Sequence, residues 1–323
     1  MIYFMNEPTA HYLPTISHFN ISNHAPWEQF RRPFVRDLAF ALACPNVLMH
    51  WLDTAPNQNT PPVFVHPEAF WQAQFNAYQQ RLIELDSTTA YQDLTRFLLK
   101  RPSPNRLGFH FEGLIHFWLQ DGFENASHPF EVIANNVQLY RGKQTSGELD
   151  LIIKNHDSNA IEHWELAIKF FMGSAPFLPE NWVGINSNDN LQRKMNHMQC
   201  KQFRSVWVNT SNHGEVKIDQ RFAVIKGRFF LPVSTMDFDY PEWLTPNFPM
   251  HHWIDSLDMP QLALLQHAPL QRAHYIEWFT KRRFYPQKNK LDVLASPATG
   301  LYFLENTPMV ICQATWLLKD DSN

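Results

Sequence analysis

Two short runs of the chain carry ionisable groups at strand spacing. In Gly147-Glu148-Leu149-Asp150-Leu151-Ile152-Ile153, strand alternation puts Glu148 and Asp150 on one face and Leu149, Leu151 and Ile153 on the other. In Glu162-His163-Trp164-Glu165-Leu166-Ala167-Ile168-Lys169-Phe170, the residues His163, Glu165, Ala167 and Lys169 share one face. Trp164, Leu166, Ile168 and Phe170 share the opposite, apolar one. The connection from Asn155 to Asn159 is short and built of turn formers, so the runs read as an antiparallel hairpin. Two or three carboxylates and one lysine then lie side by side. Carboxylates repel and are stable together chiefly when exposed or when a cation neutralises them. Hard oxygen donors favour Mg²⁺ or Mn²⁺. A lysine beside such an ion can position a water and steady charge developing on a phosphate. An edge hairpin with a solvated charged face would show the same alternation.

A second pattern follows. The spacing predicts a helix over 189–203, with Leu191, Met195 and Met198 as its buried stripe. Asn190, Lys194, His197 and Lys201 form a separate polar stripe, Arg193 and Arg204 add charge, and Gln192 lies near the helix start. Such a face suits a phosphate backbone, or simply solvent. Arg141 and Lys143, on the turn before the Asp150 strand, would extend the groove. His251-His252 lacks the further ligands a metal needs, and Lys281-Arg282-Arg283 is a short basic run. No phosphate-loop, dinucleotide, serine-hydrolase or zincin motif occurs.

The positioning elements fall into three regions. Residues 1–102 read as helical: Phe34, Leu38, Ala41 and Leu42 are spaced for a helix that Pro45 ends, and helices are predicted over 68–84 and 88–100. Thr54 to Pro67 carries four prolines and reads as a loop. Residues 103–210 begin with Ser103-Pro104 as cap and first turn of a helix carrying Leu107, Phe111, Leu114 and Trp118, closed by Gly122. Strands follow at 132–140, 147–154 and 161–171, then the 189–203 helix and a strand at 205–209. The order is α-β-β-β-α-β. Residues 211–323 read as an α+β extension packed on that core, with strands at 222–231, 301–303 and 309–316 and helices at 261–270 and 271–281.

That order, and Gly-Glu-Leu-Asp before a hydrophobic strand and a Glu- and Lys-bearing one, resemble the PD-(D/E)XK nuclease-like superfamily. The chain is most similar to a bacterial domain-of-unknown-function branch of it. The resemblance covers about residues 105–210 and implies an α/β fold with an αβββαβ core, a mixed sheet flanked by helices. It implies that Asp150 is the metal-binding aspartate of the second strand, Lys169 the third-strand lysine, and Glu112 the helix glutamate that some members add as a ligand. Gln192 falls where several members keep a polar residue. The family's third-strand acid stands two residues before the lysine; here that position is Ala167, and Glu165 is the acid, four residues away. Either Glu165 is a migrated ligand or the site has degenerated. The implied activity is a Mg²⁺- or Mn²⁺-dependent phosphodiesterase acting on nucleic acid, DNA before RNA. The metal ligands would be Asp150, Glu165 and Glu112, and the alternative is an inactive nuclease fold kept for binding or scaffolding.

Composition sets limits on these readings. With 323 residues and 44 % hydrophobic residues, the chain can bury a large core. Its formal charge of −4 excludes coating nucleic acid through bulk positive charge, leaving only a local basic groove. Three distant cysteines, Cys44, Cys200 and Cys312, offer no CxxC pair and point to a reducing compartment. The first residues show neither a basic n-region nor an apolar run, and no stretch of about 18 apolar residues occurs, so a cytoplasmic protein without a membrane span is expected.

Overall fold

A computed structural model describes residues 25–315, apart from 54–60, 102, 104–105, 142–143, 186–187, 264, 266–269, 282–297 and 305. Four helices come first: α1 (Pro33–Ala43), α2 (Glu68–Ser87), α3 (Tyr91–Lys100) and α4 (Leu107–Glu124). α1 has proline in its first turn and stops before Pro45, where a ring without N–H would break the ladder. α4 starts at Leu107 rather than at the predicted Ser103 cap, and Pro104 lies outside the described residues. It runs through Gly122 instead of ending there; the glycine answers a close approach, since a Cβ at this position would lie 2.5 Å from His128 Nε2.

The strands are β1 (Phe130–Arg141), β2 (Gln144–Asn155), β3 (Ala160–Gly173), β4 (Trp182–Gly184), β5 (Trp207–Thr210), β6 (Gly214–Lys217), β7 (Gln220–Pro232), β8 (Met250–Asp255), β9 (Leu270–Arg272), β10 (Gly300–Leu304) and β11 (Thr307–Cys312). Among the described residues, nine of them form one mixed sheet in the order β1-β2-β3-β7-β8-β11-β10-β9, with β4 also on β3. β3, β7, β8 and β11 run parallel, and the flanking pairs are antiparallel. The protein is α/β, a large mixed sheet flanked by helices.

Three expectations are corrected. The strand after the predicted 189–203 helix, β5, does not enter the large sheet; it pairs only with β6 in a separate two-stranded sheet. The strand that returns parallel to β3 is β7, beyond residue 210. A short strand pattern such as 205–209 records local alternation and not which partner it finds. The predicted helix over 271–281 is absent: β9 pairs with β10 there, followed by a single 3-10 turn at Tyr275–Glu277. Of the helix predicted over 261–270, the described residues hold only α6 (Met259–Ala263).

The apolar faces match this layering. Trp164, Leu166, Ile168 and Phe170 of β3 join Leu151, Ile153 and the buried sides of α1–α4 in the main core. Ala167 and Phe171 face the other way, under Leu191, Met195, Met198 and Phe203. β3 thus follows its predicted alternation. β2 departs from it: Leu149 packs with Ile152, Val208 and Ile218 rather than with Leu151 and Ile153. The alternation breaks at Asp150, where β2 leaves β3. On the other edge of β3, Lys169 is opposite Gly227, whose φ is +144°. A Cβ there would stand 1.7 Å from the Lys169 carbonyl oxygen, so this approach requires glycine.

Candidate active site

β2 and β3 pair from Asn155↔Ala160 to Leu151↔Trp164 and then separate. At the parting, an Asp150 Oδ2 accepts the Leu166 backbone N–H at 2.8 Å, replacing the next rung of the ladder. Asp150 and Glu165 are brought together here, their carboxyl groups close enough to shift one another's ionisation. Burial raises the Asp150 carboxyl well above its usual range, and the neighbouring Glu165 charge raises it further. Burial also pushes Glu165 up to about 8, against the lowering pull of Lys194. Glu165 is 1 % exposed; its Oε1 accepts from the Gln202 amide, and its Oε2 lies 3.3 Å from His163 Nε2. Burial holds the His163 ring near 4, so it is neutral at pH 7 and contributes no compensating charge. Neither acid has a Lys or Arg ion-pair partner among the described residues.

Glu112 approaches from α4. Arg101 lies between it and His116, with Nη2 3.4 Å from Glu112 Oε2 and Nη1 3.2 Å from His116 Nδ1. Burial, and then the Asp150 charge, lift Glu112 to about 7. Glu148, on the same strand as Asp150, is held by the side-chain amides of Asn136, at 2.7 Å, and Gln138.

The predicted 189–203 helix is a seven-residue α5 (Leu191–His197) that widens into a π-turn over Met198–Gln202. Asn190 caps it, its side-chain oxygen accepting the Arg193 N–H at 2.8 Å. Lys194 is half-buried, and its charge reaches Asp150, Glu165 and Glu112. Lys169 instead forms an ion pair with Asp189. The exposed His197 is lowered by partial burial and by the charges of Lys194, Lys201 and Lys169, which places three ammonium groups around it. Arg193 is exposed and bonds the Asn188 carbonyl; Gln192 donates to Asn196 at 3.3 Å. Lys143 and Arg282-Arg283 lie outside the described residues.

Sequence reasoning missed Gln202 and Arg101. A π-turn shifts the angular phase of a helix, so Gln202 leaves the face that an unbroken α-helix would assign it. Arg101 precedes α4 in a loop, which carries no periodic signal.

The donor set sets the kind of cation it suits. Among the described residues, no three His, Cys, Asp or Glu side chains are grouped as a metal cluster. Two adjacent carboxylates suit an ion such as Mg²⁺, which keeps several waters and completes its shell with substrate phosphate. They do not make an all-protein cage. No described helix is long and apolar enough to cross a membrane.

A family model described as a domain of unknown function, DUF1853, matches residues 36–311. No curated protein and no solved structure matches the chain.

Proposed function

The chain belongs to the DUF1853 family, and we propose that it is a divalent-cation-dependent phosphodiesterase of PD-(D/E)XK type acting on nucleic acid, DNA before RNA. The observation that carries this reading is the Asp150–Glu165 pair, two acids packed together where two strands part. Burying like charges in contact is costly, and only a shared proton or a bound cation relieves it. The element order α4-β1-β2-β3-β4-α5-β5-β6-β7, an α-β-β-β-α-β series with β4 and β5–β6 inserted before the parallel return, supports the nuclease-like core.

Asp150 and Glu165 would hold Mg²⁺ or Mn²⁺, which when bound lowers the pKa of a coordinated water and offsets phosphoryl charge. Gln202 and His163 fix the Glu165 carboxylate, and the Leu166 N–H fixes Asp150. Lys194, whose charge reaches all three acids, takes the phosphate-steadying role expected of Lys169. Glu112, titrating near neutrality, has the poise of a group that exchanges a proton with a reacting oxygen. Lys201, Arg193 and His197 continue the basic face along which a phosphate backbone would lie.

Incubation with supercoiled, linear and single-stranded DNA and with RNA, in Mg²⁺ or Mn²⁺, tests this. Wild type is expected to cleave, and Asp150→Ala to lose at least about 1,000-fold of that activity while circular dichroism shows the fold retained. Cleavage retained in Asp150→Ala would overturn the assignment. The second reading, a nuclease fold kept for binding alone, is favoured by the engagement of Lys169 with Asp189. DNA binding by wild type with no metal affinity in calorimetry would establish it.

A further inference from the structure

Beside the acids, β3 has an open edge. β2 leaves after Leu151↔Trp164 and β4 begins only at Phe171↔Gly184, so among the described residues no strand pairs with 165–170 on that side. The Leu166 N–H points to this edge, where Asp150 takes it. By the two-residue period, the N–H and C=O groups of Ile168 and Phe170 point the same way. They border a cavity of about 360 Å³ lined also by Phe171, Ile185, Trp278 and the Lys169–Asp189 pair. Trp278 meets Phe170 edge to face at 5.2 Å and 74°, which leaves aromatic surface on the cavity wall. The volume lies within the range of small-molecule sites, about 300–1,000 Å³.

We propose that this notch binds one unstacked nucleobase of the strand whose phosphate lies at Asp150 and Glu165. The proposal rests on the phosphodiesterase reading. Aromatic walls stack a ring, and the main-chain groups of Ile168 and Phe170 present paired donors and acceptors to its edge. The Lys169–Asp189 pair adds one of each at the rim. Lys169 lies four residues, roughly 13 Å of strand, from Glu165 and on the same face, so the base belongs to a nucleotide flanking the reacting phosphate. A peptide strand fits less well. It would lie in line with β2 and β4, and Asp150 at one end and Gly184 at the other stop it from running on along the edge.

Anisotropy binding in Ca²⁺, a hard cation that neutralises the carboxylates without the octahedral shell Mg²⁺ demands, compares a short single-stranded oligonucleotide with an abasic polymer of equal length. Base stacking contributes about 1–3 kcal/mol per base, so wild type should prefer the base-bearing strand by roughly 5- to 150-fold. Trp278→Leu should remove most of that preference and leave the abasic affinity unchanged. Thr299→Trp, a substitution at an exposed position on the rim, should block the notch without touching the core and give the same loss. Equal affinity of wild type for the two polymers overturns the base pocket and leaves the Asp150 chemistry standing. Binding of neither polymer overturns both. Stronger protection of the Ile168 and Phe170 amides from exchange by an extended apolar peptide than by the oligonucleotide would make the notch a strand-addition site and overturn the proposal.

Discussion

The sheet buries charge on both of its faces, with opposite consequences. On the α1–α4 side, Lys226 is fully buried, its Nζ donating to the carbonyls of Leu42 at 3.1 Å and Cys44 at 2.6 Å and lying 3.5 Å over the Trp71 ring. Arg228 donates to the Phe279 carbonyl at 2.7 Å, and Arg36 to the Phe30 carbonyl at 2.8 Å. These cations meet backbone oxygens, including those left over at the end of α1, and tie helix to sheet. Where β2 and β3 part, the buried groups are acids that face each other. A cation among carbonyls finds its hydrogen bonds within the fold, even though burial lowers Lys226 to about 7. Two carboxylates in contact are stable only with something added, a proton or an ion, which makes the second cluster the candidate site and the first a fastening.

Breaking the fastening should have the largest effect on stability. Lys226→Ala orphans two buried carbonyls and leaves a cavity under Trp71, so unfolding in urea should show a loss of about 4 kcal/mol. Lys226→Met refills the space and should recover roughly half of that loss, separating packing from hydrogen bonding. A gain in stability on Lys226→Ala would place the lysine among the strained groups instead.

Next in size is an acid-side effect at His66. Its ring stacks between Phe70 and Phe222 at 4.0 and 4.1 Å, and burial, aided by the Lys226 charge, holds it down to about 3. The unfolded chain therefore takes up this proton first as pH falls. The stability His66 confers is complete above about pH 6.5 and is lost toward pH 3. Between pH 7 and pH 4.5, wild type should lose about 2–3 kcal/mol that His66→Phe keeps, measured by urea unfolding at the two pH values.

The acid cluster should respond in the opposite sense. Glu165 has its folded pKa raised, so its carboxyl is best tolerated below its unfolded value near 4.5 and costs stability as pH rises through about 8. Glu165→Gln should be more stable than wild type at pH 9 by on the order of 2 kcal/mol, equal to it at pH 4, and inactive. A lower melting temperature at pH 9 would erase the contrast between the clusters. The smallest effect belongs to the exposed Arg193. Arg193→Ala should leave stability within about 0.5 kcal/mol and flatten the salt dependence of DNA binding by about one phosphate contact.

Much of the site was legible before the fold. Period-two alternation in the 147–153 and 161–171 runs placed Asp150 and Glu165 on neighbouring strands, and the turn chemistry of Asn155–Asn159 made the pairing antiparallel, as observed. The lysine was harder. Lys169 shares the face of Glu165 by alternation, yet Asp189 engages it, while Lys194 reaches the acids from a helix laid across the sheet. The fourth strand was misplaced for a related reason: 205–209 also reads as a strand, but the parallel register with β3 belongs to β7, whose near-continuous burial is that of a central strand.

Alternation, turn formers and proline positions act within a few residues, so the chain by itself determined the helices around the core, the acid-bearing hairpin and its apolar reverse face. Tertiary structure decided where β2 leaves β3, which ammonium group meets the carboxylates, and that buried cations find carbonyls while buried acids find each other. Those outcomes depend on contacts between residues far apart in the chain, whose separation carries no period for local chemistry to read.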